Sequence, residues 1–218
     1  MHEETLKEIA RQLKQPHGEH AIEVGERMNK GNQFMNVWAI NKLNAQANEV
    51  ILEIGMGNGF FVKDILNSAH SIHYIGCDFS EEMVQAAIQY NQEFINNHQA
   101  KFFLASADAL PFDLPTFNKV FTVNTLYFWE NPPQVLNEIK RVLKPEGQLL
   151  IAIRPREIME QYAFTQFGFT MYSKEELCTL LAENGFEVIE AIEEQEPDQE
   201  INGETVSVGS LIVLAEKA

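Results

Sequence analysis

The sequence predicts an α/β fold built on one sheet, and three features predict it. Residues 50–54 form a short apolar run rich in β-branched side chains, and glycines at 55, 57 and 59 follow directly. Such a run reads as a buried strand, and such a turn lets backbone approach a ligand closely. Residues 60–66 then place apolar side chains at helical spacing. Strand, turn and helix make half of a βαβ nucleotide-binding unit, with free backbone N–H groups presented to an anion at the helix N-terminus. Near the end of the chain, strand-like runs at 186–192 and 205–214 are separated only by the acidic stretch 193–203, which predicts a closing hairpin.

The segment 1–47 precedes the first strand and is helical in pattern. Leu6, Ile9, Ala10 and Leu13 recur at helix spacing until Pro16 and Gly18 break the run; Phe34, Val37, Trp38 and Leu43 mark a later helix. Between them, residues 28–36 carry three Asn, one Gln, two Met and a Phe without a clear polar face. That composition suits either the lining of a pocket for a polar ligand or a helical cover over the sheet edge. The chain therefore divides into a helical lid or extension, 1–47, and a main domain, 48–218.

Beyond the glycine turn, residues 72–78 read as the second strand. It ends in Asp78, roughly twenty residues after the turn, where nucleotide-binding α/β folds hold ribose hydroxyls. Ser80 caps a helix with Glu81 and Glu82 in its first turn and Met83, Val84, Ala87, Ile88 and Tyr90 on its inner face. Residues 101–106 are the third strand, 107–112 a loop, and 117–124 the fourth strand, whose carboxyl end at Asn124 is the edge where open α/β sheets bind ligands. Asn131 caps the next helix, with Pro132 in its first position and Val135, Leu136, Ile139, Val142 and Leu143 inside. Residues 144–147 make a tight turn into a fifth strand, 148–153. Residues 157–172, rich in Met, Tyr and Phe without one period, are a lid candidate; Ser173 with Glu176 then makes a capping box for a helix that stops at Asn184 and Gly185.

The glycine spacing is G-x-G-x-G after an acid, Glu53, and not the dinucleotide G-x-G-x-x-G. With Ala107-Asp108-Ala109-Leu110-Pro111-Phe112 and the run from Arg141 to Gly147, it resembles the class I S-adenosylmethionine-dependent methyltransferases, in particular the type 11 and ubiquinone-biosynthesis-like small-molecule groups. The resemblance implies a Rossmann-like, mostly parallel seven-stranded sheet with a C-terminal antiparallel hairpin, helices on both faces and an N-terminal helical extension. It also implies S-adenosyl-L-methionine as cofactor, with Glu53, Gly55, Gly57, Asn58 and Gly59 at the methionine end and Asp78 on the ribose. Phe79 and Met83 would sandwich the adenine, Asp108 and Ala109 meet its amino group, and Asn124 closes the set at the reaction edge. Two positions depart from the family pattern. Asn118 stands where relatives usually have Asp, at strand entry and away from the site, and Asn124 lacks the two following prolines of the amino-methylating subclass.

On the acceptor side the candidates are Phe34, Trp38, Tyr127, Trp129 and Arg154, the aromatics for stacking or cation–π contact and the arginine, with Arg156, for an anionic group. Methyl transfer needs an in-line nucleophile and exclusion of water more than a catalytic dyad, so no catalytic residue is assigned. His17 and His20 become candidate bases only if the lead-in segment covers the site. The expected function is methylation of a small molecule, with a non-catalytic cofactor-binding protein or a nicotinamide-dependent oxidoreductase as alternatives. A net charge of -16 argues against nucleic acid as substrate. Cys77 and Cys178 suit reduced packing thiols, no metal-ligand spacing is present, and the lack of a leader or long apolar span predicts a cytoplasmic chain, with a homodimer as one possible state.

Overall fold

The computed structural model describes residues 2–201 and 204–218. Three helices lead in: α1 (Glu3–Lys14), α2 (Ala21–Gly31) and α3 (Gln33–Leu43). The alternating core follows as β1 (Val50–Ile54), α4 (Val62–Ser68), β2 (His73–Asp78), α5 (Glu81–Tyr90), α6 (Gln92–Asn96), β3 (Ala100–Leu104), β4 (Phe117–Val123), α7 (Pro132–Val142) and β5 (Leu143–Ile153). Then come α8 (Arg156–Met159), α9 (Lys174–Glu183), β6 (Phe186–Gln195), the short pair β7 (Gln199–Ile201) and β8 (Glu204–Val206), and β9 (Gly209–Lys217).

Seven strands form one sheet in the order β3-β2-β1-β4-β5-β9-β6. The pairs from β3 through β5 are parallel, while β9 lies antiparallel to both β5 and β6. Alternation along each strand splits the core in two. Leu52, Ile54, Val120, Leu149 and Ile151 face α7 and α9, whereas Ile51, Phe121, Leu150 and Ala152 face α3 and α4. Both faces are apolar because both are covered by helices, as a parallel sheet requires.

Several boundaries differ from the sequence reading. The helix after the glycine turn starts at Val62, because Phe60 and Phe61 belong to the turn. The expected turn at 144–147 lies within β5, which bends with Glu146 at φ 60° and shifts register between Phe117 and Lys119. In α5, Ile88 and Tyr90 stay exposed, because the last turn buries Asn91 instead, whose side chain donates to the carbonyls of Gly59 and Ala87 (both 3.0 Å). Residues 205–206, expected in the final strand, belong to β8, which pairs with β7 inside the expected loop, so that strand starts at Gly209; Gly203 lies outside the described residues. Residues 157–172 form α8 and a 3-10 turn and pack as an aromatic group, Phe128 against Phe169 at 4.6 Å and Tyr162 against Phe164 at 5.5 Å between ring centroids.

The lead-in segment is joined to the sheet at its C-terminal end. Buried Lys119 on β4 donates to the carbonyls of Leu43 (2.6 Å) and Asn44 (2.8 Å), the unpaired end of α3. Asn118 beside it accepts from the Val50 N–H (3.0 Å) and from Lys144 (2.8 Å), a role at strand entry as its position implied. Replacing Lys119 by Met leaves the Leu43 carbonyl without a donor, while Asn44 keeps that of the Gln46 side chain (2.7 Å), and is expected to cost about 1–3 kcal/mol of unfolding free energy. Urea denaturation measures it, and a loss under about 0.5 kcal/mol would mean that water reaches the Leu43 carbonyl.

Candidate functional site

A cavity of about 520 Å³ opens at the carboxyl ends of β1, β2 and β4, beside the loop after β3, and the lead-in helices roof it. This is the edge at which open α/β sheets bind ligands. Glu53, Gly55, Gly57, Asn58, Asp78, Phe79, Met83, Asp108 and Asn124 all line it, so all but two of the expected cofactor positions meet in one space. Gly59 packs against Ala87 and Asn91, and neither it nor Ala109 lines the cavity, whereas Ser106 and Ala107 do.

The glycine loop lies across the tip of β2. Gly55 and Met56 donate their N–H groups to the Cys77 carbonyl (2.8 and 3.3 Å), Gly57 donates to Asp78 Oδ2 (3.0 Å), and Gly59 donates to the Met56 carbonyl (3.1 Å). These four groups are therefore taken within the fold, whereas the N–H groups of Asn58 and Phe60 in the same loop have no partner among the described residues. The glycines themselves serve approach. Gly55 at φ 74° would put a Cβ 2.2 Å from the Thr125 methyl, while Gly57 at φ 57° faces open space within the cavity wall.

Asp78 is buried, and its two oxygens accept from Gly57 and from Ser80 (2.9 Å). Burial pushes its carboxyl up, and those backbone N–H groups pull it back. Ser80 caps α5 as expected, and its hydroxyl donates to the Pro16 carbonyl (2.6 Å). Gln15 donates to the Phe79 carbonyl (3.0 Å), and Glu82 accepts from the Gly18 N–H (2.9 Å). The break between α1 and α2 is thus fixed to the corner that presents Asp78 and Phe79. On the far wall, Glu138 accepts from the Leu110 N–H (3.0 Å) and Arg141 donates to the Leu110 carbonyl (3.0 Å), which holds the Asp108 loop in place.

The acceptor candidates divide. Trp129 lines the cavity, and Phe128, which the sequence reading passed over, lines it too. Phe34 and Trp38 do not: they pack against each other at 6.5 Å on the outward side of α3, while Asn32 and Asn36 take the inward side. Two residues of helix are about 200° of rotation, so a segment that turns its amides inward turns those aromatics out. Tyr127 is buried and bonds Asn124 Oδ1 (2.9 Å) and the Arg154 carbonyl (3.1 Å). The Arg154 side chain is also buried. It pairs with Glu196 (2.7 Å) and donates to the Gly31 carbonyl (2.8 Å), so it holds the α2–α3 corner and does not face the cavity. Arg156 pairs with Glu176, and His17 and His20 sit on the surface outside the cavity. The run 28–36 proves to be pocket lining, through Met28, Asn29, Asn32 and Asn36. Both cysteines are free.

Glu53 is buried beneath the loop, and the Tyr74 hydroxyl donates to it (2.5 Å). Burial pushes its carboxyl up to about 7; the Tyr74 bond opposes this and the charge of Asp78 adds to it. The folded protein holds that proton more tightly than the unfolded chain, where the ordinary value is 4.5, so ionisation opposes folding as pH rises through that window. Glu53→Gln removes the effect. The stability lost between about pH 5 and about pH 8 should shrink by roughly 2–3 kcal/mol in the variant. Thermal unfolding at the two pH values reads it, and equal pH profiles would show that Glu53 ionises without cost.

Known proteins similar to this chain agree on its kind. A family model described as a methyltransferase domain matches residues 52–151. The uncharacterized methyltransferase YdaC of Bacillus subtilis is 30% identical over 126 residues, 58% of this chain and 67% of that protein. The fold is shared with a chain from the complex of the Haloferax volcanii Trm112 methyltransferase activator and a candidate methyltransferase (TM-score 0.81, 20% identity, 96% of this chain and 97% of that one). It is shared as well with the geranyl diphosphate C-methyltransferase of Streptomyces coelicolor, solved with S-adenosyl-L-homocysteine (TM-score 0.70, 11% identity, 98% of each chain). The chain belongs to the class I S-adenosylmethionine-dependent methyltransferases.

Proposed function

We propose that this protein transfers a methyl group from S-adenosyl-L-methionine to a small-molecule acceptor. The observation that carries the reading is that the glycine loop, Asp78 and the Asp108 loop, which come from the ends of three strands, line one cavity of about 520 Å³. The cofactor fits the donor set. Asp78 keeps lone pairs for ribose hydroxyls beside its two N–H partners, Phe79 and Met83 flank the space for an adenine, and the Asp108 carboxylate accepts from an exocyclic amino group. Gly57 leaves room for the methionine end, since a side-chain carbon at that position would have no neighbour within 4 Å. When bound, S-adenosylmethionine supplies an electrophilic methyl, and a nucleophile placed in line with the sulfur displaces it.

The chain's own contribution is then orientation and dryness. Trp129 and Phe128 wall the side next to Asn124, and residues 13–36 of the lead-in segment cover the opening, which gives 1–47 the role of a lid on the domain 48–218. The small acceptor is supported by a cavity of about 520 Å³ and by the net charge of -16, which repels a polyanion.

Calorimetric titration tests the site. S-adenosylhomocysteine should bind the parent protein, NADH should not, and Asp78→Ala should weaken the former by about 1.5–3 kcal/mol, the worth of hydrogen bonds to a charged group. Undiminished affinity in that variant would sink the assignment. The lid is tested separately, by hydrogen exchange with and without S-adenosylhomocysteine. Added protection is expected within residues 17–40, and protection confined to the glycine loop and Asp78 would reject it.

A further inference from the structure

We infer that the methyl acceptor is an uncharged molecule, recognised through hydrogen bonds to side-chain amides between the α2–α3 corner and the tip of β4. The inference rests on the methyltransferase reading above and adds the substrate class to it.

The charges are decided first. The five arginines are all engaged, Arg11 with Glu8, Arg27 with Glu23, Arg141 with Glu138, Arg154 with Glu196 and Arg156 with Glu176. Among the described residues that line the cavity, Lys14 is the basic side chain, and its Nζ lies 3.5 Å from Glu130 at the rim. Glu53, Asp78 and Asp108 line the same space. A carboxylate or phosphate on the acceptor would shed its water there and meet acids, with Lys14 at the rim, already beside Glu130, as the one lining cation among the described residues. A fixed cation fares no better, since it would sit against the sulfonium whose methyl it must receive. The surroundings therefore select a neutral acceptor.

The amides are decided next. Asn36 is buried, and its Nδ2 donates to the Asn32 carbonyl (2.9 Å), which leaves Oδ1 without a partner among the described residues. Asn124 is the reverse case: its Oδ1 accepts from Tyr127 (2.9 Å), and its Nδ2 is left unpaired among the described residues. The Asn29 side chain on the cavity wall makes no hydrogen bond to the described residues. One open acceptor, one open donor and one amide able to do both suit a hydroxyl, an amide or a ring nitrogen. Phe128 and Trp129 beside them supply apolar walls for a flat body.

Benzamide and benzoate differ in charge and little in shape, and they serve as probes on the protein saturated with S-adenosylhomocysteine. Ligand-observed saturation transfer and titration should show benzamide bound at least about tenfold more tightly than benzoate. Asn29→Ala and Asn36→Ala should each weaken benzamide by about three- to tenfold. Asn29 lies on α2 without internal bonds, so its variant tests the idea even if Asn36→Ala folds poorly. Benzoate binding as well as benzamide, benzamide unaffected by Asn29→Ala, or no binding of either probe would each overturn the inference. Calorimetry with S-adenosylhomocysteine on the same samples keeps the two readings apart. Lost cofactor binding in the parent protein strikes at the methyltransferase site itself, and retained cofactor binding with a preference for benzoate strikes only at the acceptor class.

Discussion

The Asp78 carboxylate, held by two backbone N–H groups, is the contact on which the site depends. One oxygen takes Gly57 from the loop after β1 and the other takes Ser80 from the start of α5, so one side chain at the end of β2 joins three elements. Ser80 passes the constraint on, because its hydroxyl reaches the Pro16 carbonyl in the lead-in segment. A hydrogen bond to a charged group is worth about twice a neutral one, and burial removes the water that would compete for it. The cost is visible in the raised Asp78 carboxyl and, beneath it, in Glu53, which shares the buried space and resists ionisation.

On the opposite side of the cavity, Arg154 does comparable work by other means. Its guanidinium reaches Glu196 and Ser210 is bonded to the same carboxylate, while the Gly31 carbonyl takes another of its protons. Its backbone carbonyl and N–H both engage the Tyr127 hydroxyl, which in turn reaches Asn124. One arginine at the end of β5 thereby ties the roof, at the α2–α3 corner, to the floor, at the tip of β4. A buried ion pair contributes little net stability when complete, but losing one partner strands the other charge. That makes Arg154 a fixed element of the frame and explains why it does not serve as a ligand.

The sequence disclosed most of what local chemistry determines. The strand of Val50 to Ile54 and its glycines, the Ser80 cap, the Asn131 cap with Pro132, and the Ser173 capping box all follow from residues within a few positions of one another, and each stands where local chemistry puts it. The cofactor side was legible for a related reason: its side chains sit at strand ends, which topology sends to one edge. The acceptor side was not. Whether Phe34 or Asn36 faces inward depends on how α3 is rotated against β5, and nothing local sets that angle. Arg154 has the look of an anion ligand in the sequence because Glu196 and Gly31, its partners, are 42 and 123 positions away in the chain. The expectation of free N–H groups on the glycine loop holds only in part, since Cys77 and Asp78, which take those of Gly55, Met56 and Gly57, belong to the next strand.

These two frames hold the lead-in segment unequally, and the difference bears on how a ligand enters. At the α1–α2 break, the ties are a glutamine side chain, a hydroxyl, the Glu82 carboxylate on the Gly18 N–H and a surface ion pair of Lys14 with Glu130, whose carboxylate is 90% exposed. Pairs of that kind are worth about 0–1 kcal/mol each. At the α2–α3 corner the tie is the buried Arg154, and beyond it Lys119 holds the end of α3 within the core. Between them Gly25 lies close on Met83 and Asn58, with a side-chain carbon built there falling 3.2 Å from the Met83 sulfur, so α2 rests on the cavity through a residue too small to interlock. If the lead-in segment moves to admit a ligand, the exposed ties at the α1–α2 break are expected to part before the buried ones of Arg154 and Lys119.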